Sequence, residues 1–305
     1  MVINSNLKRV LESGNFAVTA ELGPPTSADA EVVRKKAKIL KGYIDAFNVT
    51  DGQTAVVRMA SWAACLIGKD EGLDPIVQMT ARDRNRIALQ MDVLGASALG
   101  IHNILCLTGD HMSFGNHREA KGVWDFDSVN FIKAVKQMRD EKKFQSGDEM
   151  DVAPELYIGA AANPFAPPYE FRVHRLRKKI EAGVDFIQTQ CIFNLDRFKE
   201  WMKQVQDQGL HEKVKILGGI TPIKSLGAAK YMKNNVPGMD VPDNIVERMQ
   251  KTPKEDRAKE GIKIVVETIQ QLREIEGVAG VHIMAIEWEE AVPEIVKMAG
   301  LHPRP

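Results

Sequence analysis

What most constrains this chain is an alternation that runs its whole length. Short β-suited stretches, each ended by a breaker or a polar residue, are separated by longer segments with helical spacing. The stretches are Phe16–Glu21, Asp45–Thr50, Pro75–Thr80, Asn103–Thr108, Leu156–Ala162, Asp185–Gln190, Val214–Leu217 and Gly280–Ile286. Such runs read as buried strands, and a periodicity near 3.6 in between reads as helix. Helices are predicted at Asp29–Lys41, Ala55–Ile67, Asp83–Gly95, Asp127–Lys143, Tyr169–Ala182, Leu195–Gln208, Ile223–Lys233, Ala258–Ile275 and Glu289–Ala299. The polar stretch Asn234–Asp256 is expected to hold a short extra helix. Strand-to-helix alternation forces parallel pairing, because each helix carries the chain back across the sheet. Eight such units in 305 residues fit a (β/α)8 TIM barrel better than an open doubly wound sheet. Ile3, Leu7, Val10 and Leu11 add an N-terminal helix closed by Ser13-Gly14. No shift in composition divides residues 1–305, so one barrel domain is expected.

Composition removes several functions. Lysine plus arginine equals aspartate plus glutamate at 41 each, with no long run of one sign. Nothing therefore points to a nucleic acid or a membrane surface. No apolar run approaches the roughly 18 residues of a membrane span, and Met1 to Gly14 lacks a signal-peptide core. Cys65, Cys106 and Cys191 are odd in number and far apart. They make neither a disulfide framework nor a metal motif, and a reducing cytoplasm is expected.

In a parallel barrel the reacting groups gather at the C-terminal ends of the strands. Here those ends carry Glu21, Thr50-Asp51, Gln78, Thr108-Gly109-Asp110, Asn163, Gln190 and Glu287. Thr50, Asp51 and Asn163 can equally serve as helix caps, and Glu21 alone as a salt-bridge partner. Two acids and an amide on one rim, without a Cys/His ligand set, suit proton transfer on a bound cofactor or substrate. His111 and His117 have poor metal-ligand spacing. His102 and His282 are expected at strand starts, the structural end of a barrel, and the thirteen methionines as core filling.

Five motifs fall in order on successive strands: Ala20-Glu21-Leu22-Gly23-Pro24-Pro25, Asn48-Val49-Thr50-Asp51-Gly52, Leu107-Thr108-Gly109-Asp110, Gly183 to Gln190, and Gly219-Ile220-Thr221-Pro222. Together they make a chain that resembles the methylenetetrahydrofolate reductases along nearly all its length. That resemblance implies a flavin barrel in which FAD is held by barrel loops, consistent with the lack of glycine-rich dinucleotide motifs. It implies reduction of 5,10-methylenetetrahydrofolate to 5-methyltetrahydrofolate, with Glu21 as general acid and Asp110 beside flavin and pterin. Burial among Ala20, Leu22 and Gly23 is expected to raise the Glu21 pKa so that it can donate. By the same resemblance Gln190 meets the pterin, and Thr50, Gln78, Gly109, Asp110, Trp124, Asp125, Asn163 and Lys179 line the FAD pocket. Tyr231 and Met232 stand where the family stacks a phenylalanine on folate or nicotinamide. The chain departs from the family at several points: Gln78 for a histidine, Glu287-Trp288 for Asn-Arg, and a shorter segment between Asn163 and Lys179. These departures resemble the branch from anaerobes, where an iron–sulfur or zinc-containing partner subunit, rather than bound NAD(P)H, can supply electrons. An oligomer is expected, and no metal is. Two other readings stay open: a pterin-binding or scaffold subunit of a redox complex, and a related flavin barrel such as proline dehydrogenase, against which Glu21 argues.

Overall fold

All eight β-suited stretches form strands in the computed structural model, which describes residues 3–236 and 238–305. The strands are β1 (Ala17–Leu22), β2 (Ala46–Val49), β3 (Pro75–Thr80), β4 (Asn103–Leu107), β5 (Tyr157–Ala162), β6 (Phe186–Cys191), β7 (Lys215–Ile220) and β8 (Val278–Ile283). Each pairs in parallel with the next, and β1 pairs with β8, closing a (β/α)8 barrel. The helices are α1 (Asn6–Glu12), α2 (Ala30–Leu40), α3 (Ser61–Asp70), α4 (Arg86–Ala98), α5 (Ser128–Glu141), α6 (Phe171–Ala182), α7 (Leu195–Asp207), α8 (Leu226–Asn235), α9 (Asp243–Lys251), α10 (Arg257–Arg273) and α11 (Ala291–Met298). The extra helix expected in Asn234–Asp256 is α9; Pro237 within that stretch, like Met1 and Val2, lies outside the described residues.

Period-2 alternation divides each strand between two cores. One face packs against the outer helices around Val18, Phe47, Val77, Ile104, Ile158 and Ile187. The other face fills the lower barrel with Ala17, Ala46, Ile76, Leu105, Phe186 and Leu217. Helix α1 lays Leu7, Val10 and Leu11 on that second cluster and closes the bottom of the barrel. Its first turn is tied down: Ser5 Oγ accepts from Lys8 N at 3.0 Å, and the Asp74 carboxylate accepts from Leu7 N at 3.0 Å. With the floor sealed, the open end is the C-terminal mouth.

Two departures from the sequence expectation have clear causes. Strand β7 runs on through Gly218-Gly219, which sequence reading takes as breakers. These glycines are needed for close approach: a Cβ on Gly219 would stand 2.2 Å from the Thr189 carbonyl oxygen, and one on Gly218 2.9 Å from Leu272. Helix α3 starts at Ser61 rather than Ala55, because Thr54 and Ala55 take left-handed backbone (φ 54° and 56°). The chain between them and α3 is held by Met59 N donating to the Pro25 carbonyl at 2.8 Å, which ties it to the turn after β1.

Candidate active site

The strand ends at the mouth surround a cavity of about 400 Å³, reached by Glu21, Gln78, Lys179, Gln188, Gln190 and His282. A smaller lobe of about 210 Å³ adjoins it, bounded by Glu21, Thr50, Gln78, Arg82, Gly109 and Asp110. Glu21 and Gln78 face both lobes. Eight parallel strands deliver these groups to one place because inward positions recur every second residue on each strand.

Glu21 is one turn of the pleat above Thr19 on β1, with its carboxyl against the cavity floor. Burial raises its pKa, and the charge of Glu289 adds to the effect, to about 7. Glu289 is itself buried and paired with Lys36, Nζ to Oε1 2.7 Å. Lys36 also donates to the Gly23 carbonyl at 3.2 Å and lies 3.4 Å from Glu287. A lysine on α2 therefore ties the breaker after β1 to the loop after β8, directly beside the acid. The raised pKa lets Glu21 keep its proton into the neutral range.

Asp110 is exposed at the rim of the small lobe, where its carboxylate accepts from Thr54 N at 3.0 Å. Gly109 before it has φ +93°, and a Cβ there would stand 2.8 Å from Arg82 Cβ, so this turn demands glycine. Thr50 is buried, and its Oγ1 has no hydrogen-bond partner among the described residues. It caps no helix. Asp51 does structural work instead, accepting from Thr80 N at 2.8 Å and pairing with Arg84 at 2.7 Å. Asn163 lines the large lobe while its Oδ1 accepts from Phe165 N at 2.9 Å in an Asx turn. Gln190 turns its Oε1 to Cys191 N at 3.0 Å, which leaves its amide nitrogen for the cavity.

Helix α6 supplies a basic wall. Arg172, Arg175 and Lys179 sit at helical spacing and all reach the large lobe. Lys179 is buried and donates to the Ala161 carbonyl; burial, reinforced by the Arg175 charge, lowers its pKa to about 8. Arg172 and Arg175 escape a reading confined to strand ends, as does Arg82, two residues past β3. The i, i+3, i+7 spacing of Arg172, Arg175 and Lys179 was the available signal.

Other expected site residues lie elsewhere. Trp124 bounds neither lobe; its ring stacks on His111 with centroids 5.5 Å apart. Asp125 forms a two-pronged pair with Arg86, 2.7 Å and 2.8 Å, on the outer surface, which holds its pKa down at about 2. Tyr231 is exposed on α8, and Met232 packs in an apolar cluster with Ile223, Val241 and Met249. His282 reverses the expectation of a strand-start position. Strand β8 begins at Val278 and ends at Ile283, so His282 is near its C-terminal end and lines the cavity. Among the described residues no group of three or more His, Cys, Asp or Glu is placed to hold a metal ion. No described helix is long and apolar enough to cross a membrane.

Comparison with known proteins places this geometry. The nearly full-length fold is shared with a Clostridium thermocellum protein that binds two copies of 5-methyl-5,6,7,8-tetrahydrofolic acid: TM-score 0.65 at 14% identity, covering 97% of this chain and 98% of that one. It is shared more loosely with 2,3-dimethylmalate lyase, TM-score 0.52 at 14% identity, covering 96% and 84%. Among curated relatives, methylenetetrahydrofolate reductase 2 of Schizosaccharomyces pombe is 23% identical over 95% of this chain and 46% of its own length. Methylenetetrahydrofolate reductase 2 of Saccharomyces cerevisiae is 25% identical over 76% of this chain and 37% of its own. The chain thus spans less than half the length of these relatives. The family model for methylenetetrahydrofolate reductase matches residues 6–300, and the chain belongs to that family.

Proposed function

We propose that this barrel binds FAD and reduces 5,10-methylenetetrahydrofolate to 5-methyltetrahydrofolate, with Glu21 as the general acid. The observation that carries this reading is the Glu21 carboxyl at the junction of two lobes, where burial and the nearby Glu289 raise its pKa to about 7. FAD fits the chemistry of the site. The orphaned Thr50 hydroxyl and the Gln78 amide offer hydrogen bonds to a polar ring or ribityl chain, and Gly109 offers bare backbone. Lys179, Arg175 and Arg172 offer cations to a diphosphate. When bound and reduced, FAD supplies hydride.

The chain's own residues then handle the proton and the charge. Neutral Glu21 gives its proton to N10 of the folate ring; the bond from N10 to the bridging carbon breaks, and its electron pair stays on nitrogen. The N5 iminium left behind is cationic and becomes the hydride acceptor. The Asp110 carboxylate at the same lobe favours that cation, and the Gln190 amide orients the pterin. Trp124, Asp125, Tyr231 and Met232 stand outside both lobes, so this reading gives them no direct part. The electron donor is NAD(P)H or a partner subunit; an oligomer belongs to the same reading.

Absorbance of the purified chain tests this. Yellow protein whose flavin band bleaches anaerobically on adding 5-methyltetrahydrofolate supports it. The C. thermocellum neighbour favours a second reading, a folate-binding subunit without flavin chemistry. Colourless protein that still binds 5-methyltetrahydrofolate and takes up no FAD supports that reading and ends the first. Bleaching by NADH alone identifies a nicotinamide donor, and its absence a partner protein.

A further inference from the structure

Below Glu21 the barrel contains a layer of four buried polar side chains, Thr19, Asn48, Gln188 and His282, each from a different strand. The amides of Asn48 and Gln188 exchange hydrogen bonds at 2.7 Å and 3.0 Å. Gln188 Nε2 also donates to Thr19 Oγ1 at 3.2 Å and lies 3.3 Å from His282 Nδ1. The Thr19 hydroxyl stands 2.9 Å from His282 Nδ1 and 3.4 Å from the Val281 carbonyl. The Gln188 amide nitrogen can only donate: one hydrogen is on Asn48 Oδ1, and the other is shared between Thr19 Oγ1 and His282 Nδ1. A hydrogen on Nδ1 would face that amide hydrogen, and the single Thr19 hydroxyl hydrogen has Nδ1 nearer than the Val281 carbonyl, so the geometry makes Nδ1 the acceptor. In a neutral imidazole the proton is then on Nε2. Burial keeps the ring neutral, with its pKa lowered to about 3. Nε2 has no partner among the described residues and is not sealed from the cavity that His282 lines.

We infer that His282 Nε2–H is a ligand-binding donor on the cavity floor, reserved for an uncharged acceptor, a ring carbonyl oxygen or imine nitrogen, of a planar heterocycle. A network of this kind does more than fill the barrel. An apolar layer would pack there equally well, whereas a chain of polar groups fixes one tautomer and aims one hydrogen. A neutral donor also discriminates by charge. It satisfies a carbonyl without the cost of pairing a buried cation with it. Two heterocycles carry such acceptors, flavin and pterin, and choosing between them rests on the function proposed above; the donor itself does not.

Nitrogen-15 NMR of uniformly labelled histidines in the full chain reads the tautomer directly, with His282 assigned from its absence in His282→Gln. FAD and 5-methyltetrahydrofolate are added in separate samples, with binding followed by calorimetry in each. The expected result is an Nε2-protonated neutral ring at pH 7 whose Nε2 signal moves with one of the two ligands and thereby names it. An Nδ1-protonated ring overturns the inference. So does an unmoved Nε2 signal in a sample that calorimetry shows saturated, which leaves the proposed function standing. If neither ligand binds, the proposed function fails, and the tautomer still decides whether the donor exists. Should His282→Gln not fold, Thr19→Val serves for assignment and as a second test. Losing the hydroxyl that serves Nδ1 should weaken the Kd of the responding ligand about tenfold, the scale of one hydrogen bond. Unchanged affinity and an unchanged tautomer in that variant also count against it.

Discussion

At the scale of single residues the site turns on how Glu21 holds its proton. Glu21→Gln should leave flavin binding and reduction by the donor intact while folate turnover falls by about 10² to 10⁴, the range for a lost general acid. Stopped-flow traces of the two half-reactions separate these. The sign of the pH dependence follows from the raised pKa. Turnover that needs protonated Glu21 should decline as pH rises through about 7. Stability responds in the same direction. Between the unfolded value near 4.5 and about 7 the folded chain holds the proton that the unfolded chain releases, so the carboxyl's contribution is present below 4.5 and lost as pH climbs. Glu21→Gln should therefore gain Tm relative to the parent above pH 7, with the gap closing at low pH. Lys36→Met is the complementary change. It strands Glu289 as a buried, unpaired carboxylate beside Glu21. Tm should drop, and the alkaline fall in turnover should move to higher pH. A pH–rate profile unmoved by this substitution would remove Lys36 and Glu289 from any influence on the acid.

Among elements, α1 and the turn after β4 show how parts remote from one another make a cavity. Helix α1 seals the bottom of the barrel through Leu7 and Leu11, both essentially without exposed surface. Leu7→Ala should cost about 2–5 kcal/mol in chemical denaturation, the usual range for a buried leucine, with ligand affinities little changed because the mouth lies at the opposite end. The turn at Gly109 behaves the other way. Its φ of +93° and the 2.8 Å at which a Cβ would stand from Arg82 Cβ leave no room for a side chain. Gly109→Ala should distort the small lobe, lowering FAD affinity in a visible-absorbance titration by at least about tenfold for a shift worth 1.4 kcal/mol. Unaltered affinity would take this turn out of the flavin site.

For the molecule as a whole, closure depends on contacts between its two ends. Arg304 donates to the Asp45 carboxylate at 2.6 Å and to the Phe16 carbonyl at 2.7 Å, while the same carboxylate accepts from Val18 N at 2.7 Å. The last residues thereby clamp the start of β1 and β2. Arg304→Met should destabilise by roughly 3–5 kcal/mol, the cost of stranding a buried charge, measured as a fall in denaturation midpoint. Whole-molecule architecture was also the part most open to reading from the chain. The strands are short apolar runs, most of them ended by a breaker or a polar residue, and the outer helices carry periodic apolar stripes; both are local properties. Strand ends then pointed to Glu21, Gln78, Gly109, Asp110 and Gln190, which line one or both of two adjoining lobes. Register and loop path were not open in the same way. Moving the start of β8 by two residues, from Gly280 to Val278, shifts His282 from the structural end to the cavity floor. Gly218-Gly219 look like breakers until the neighbouring strand is in place, where a Cβ on Gly219 would stand 2.2 Å from the Thr189 carbonyl oxygen. The loop carrying Trp124 and Asp125 is set by Val123 N and Trp124 N donating to the Arg82 and Ala81 carbonyls, and by Arg86 capturing Asp125. Periodicity along the chain, then, dictates which segments are strands and helices and that they alternate, since each segment must bury its own apolar face. Which polar side chains share a cavity, which proton they hold and which hydrogen points at a ligand are settled when distant strands meet, because desolvation and hydrogen-bond partners exist only in that packed arrangement.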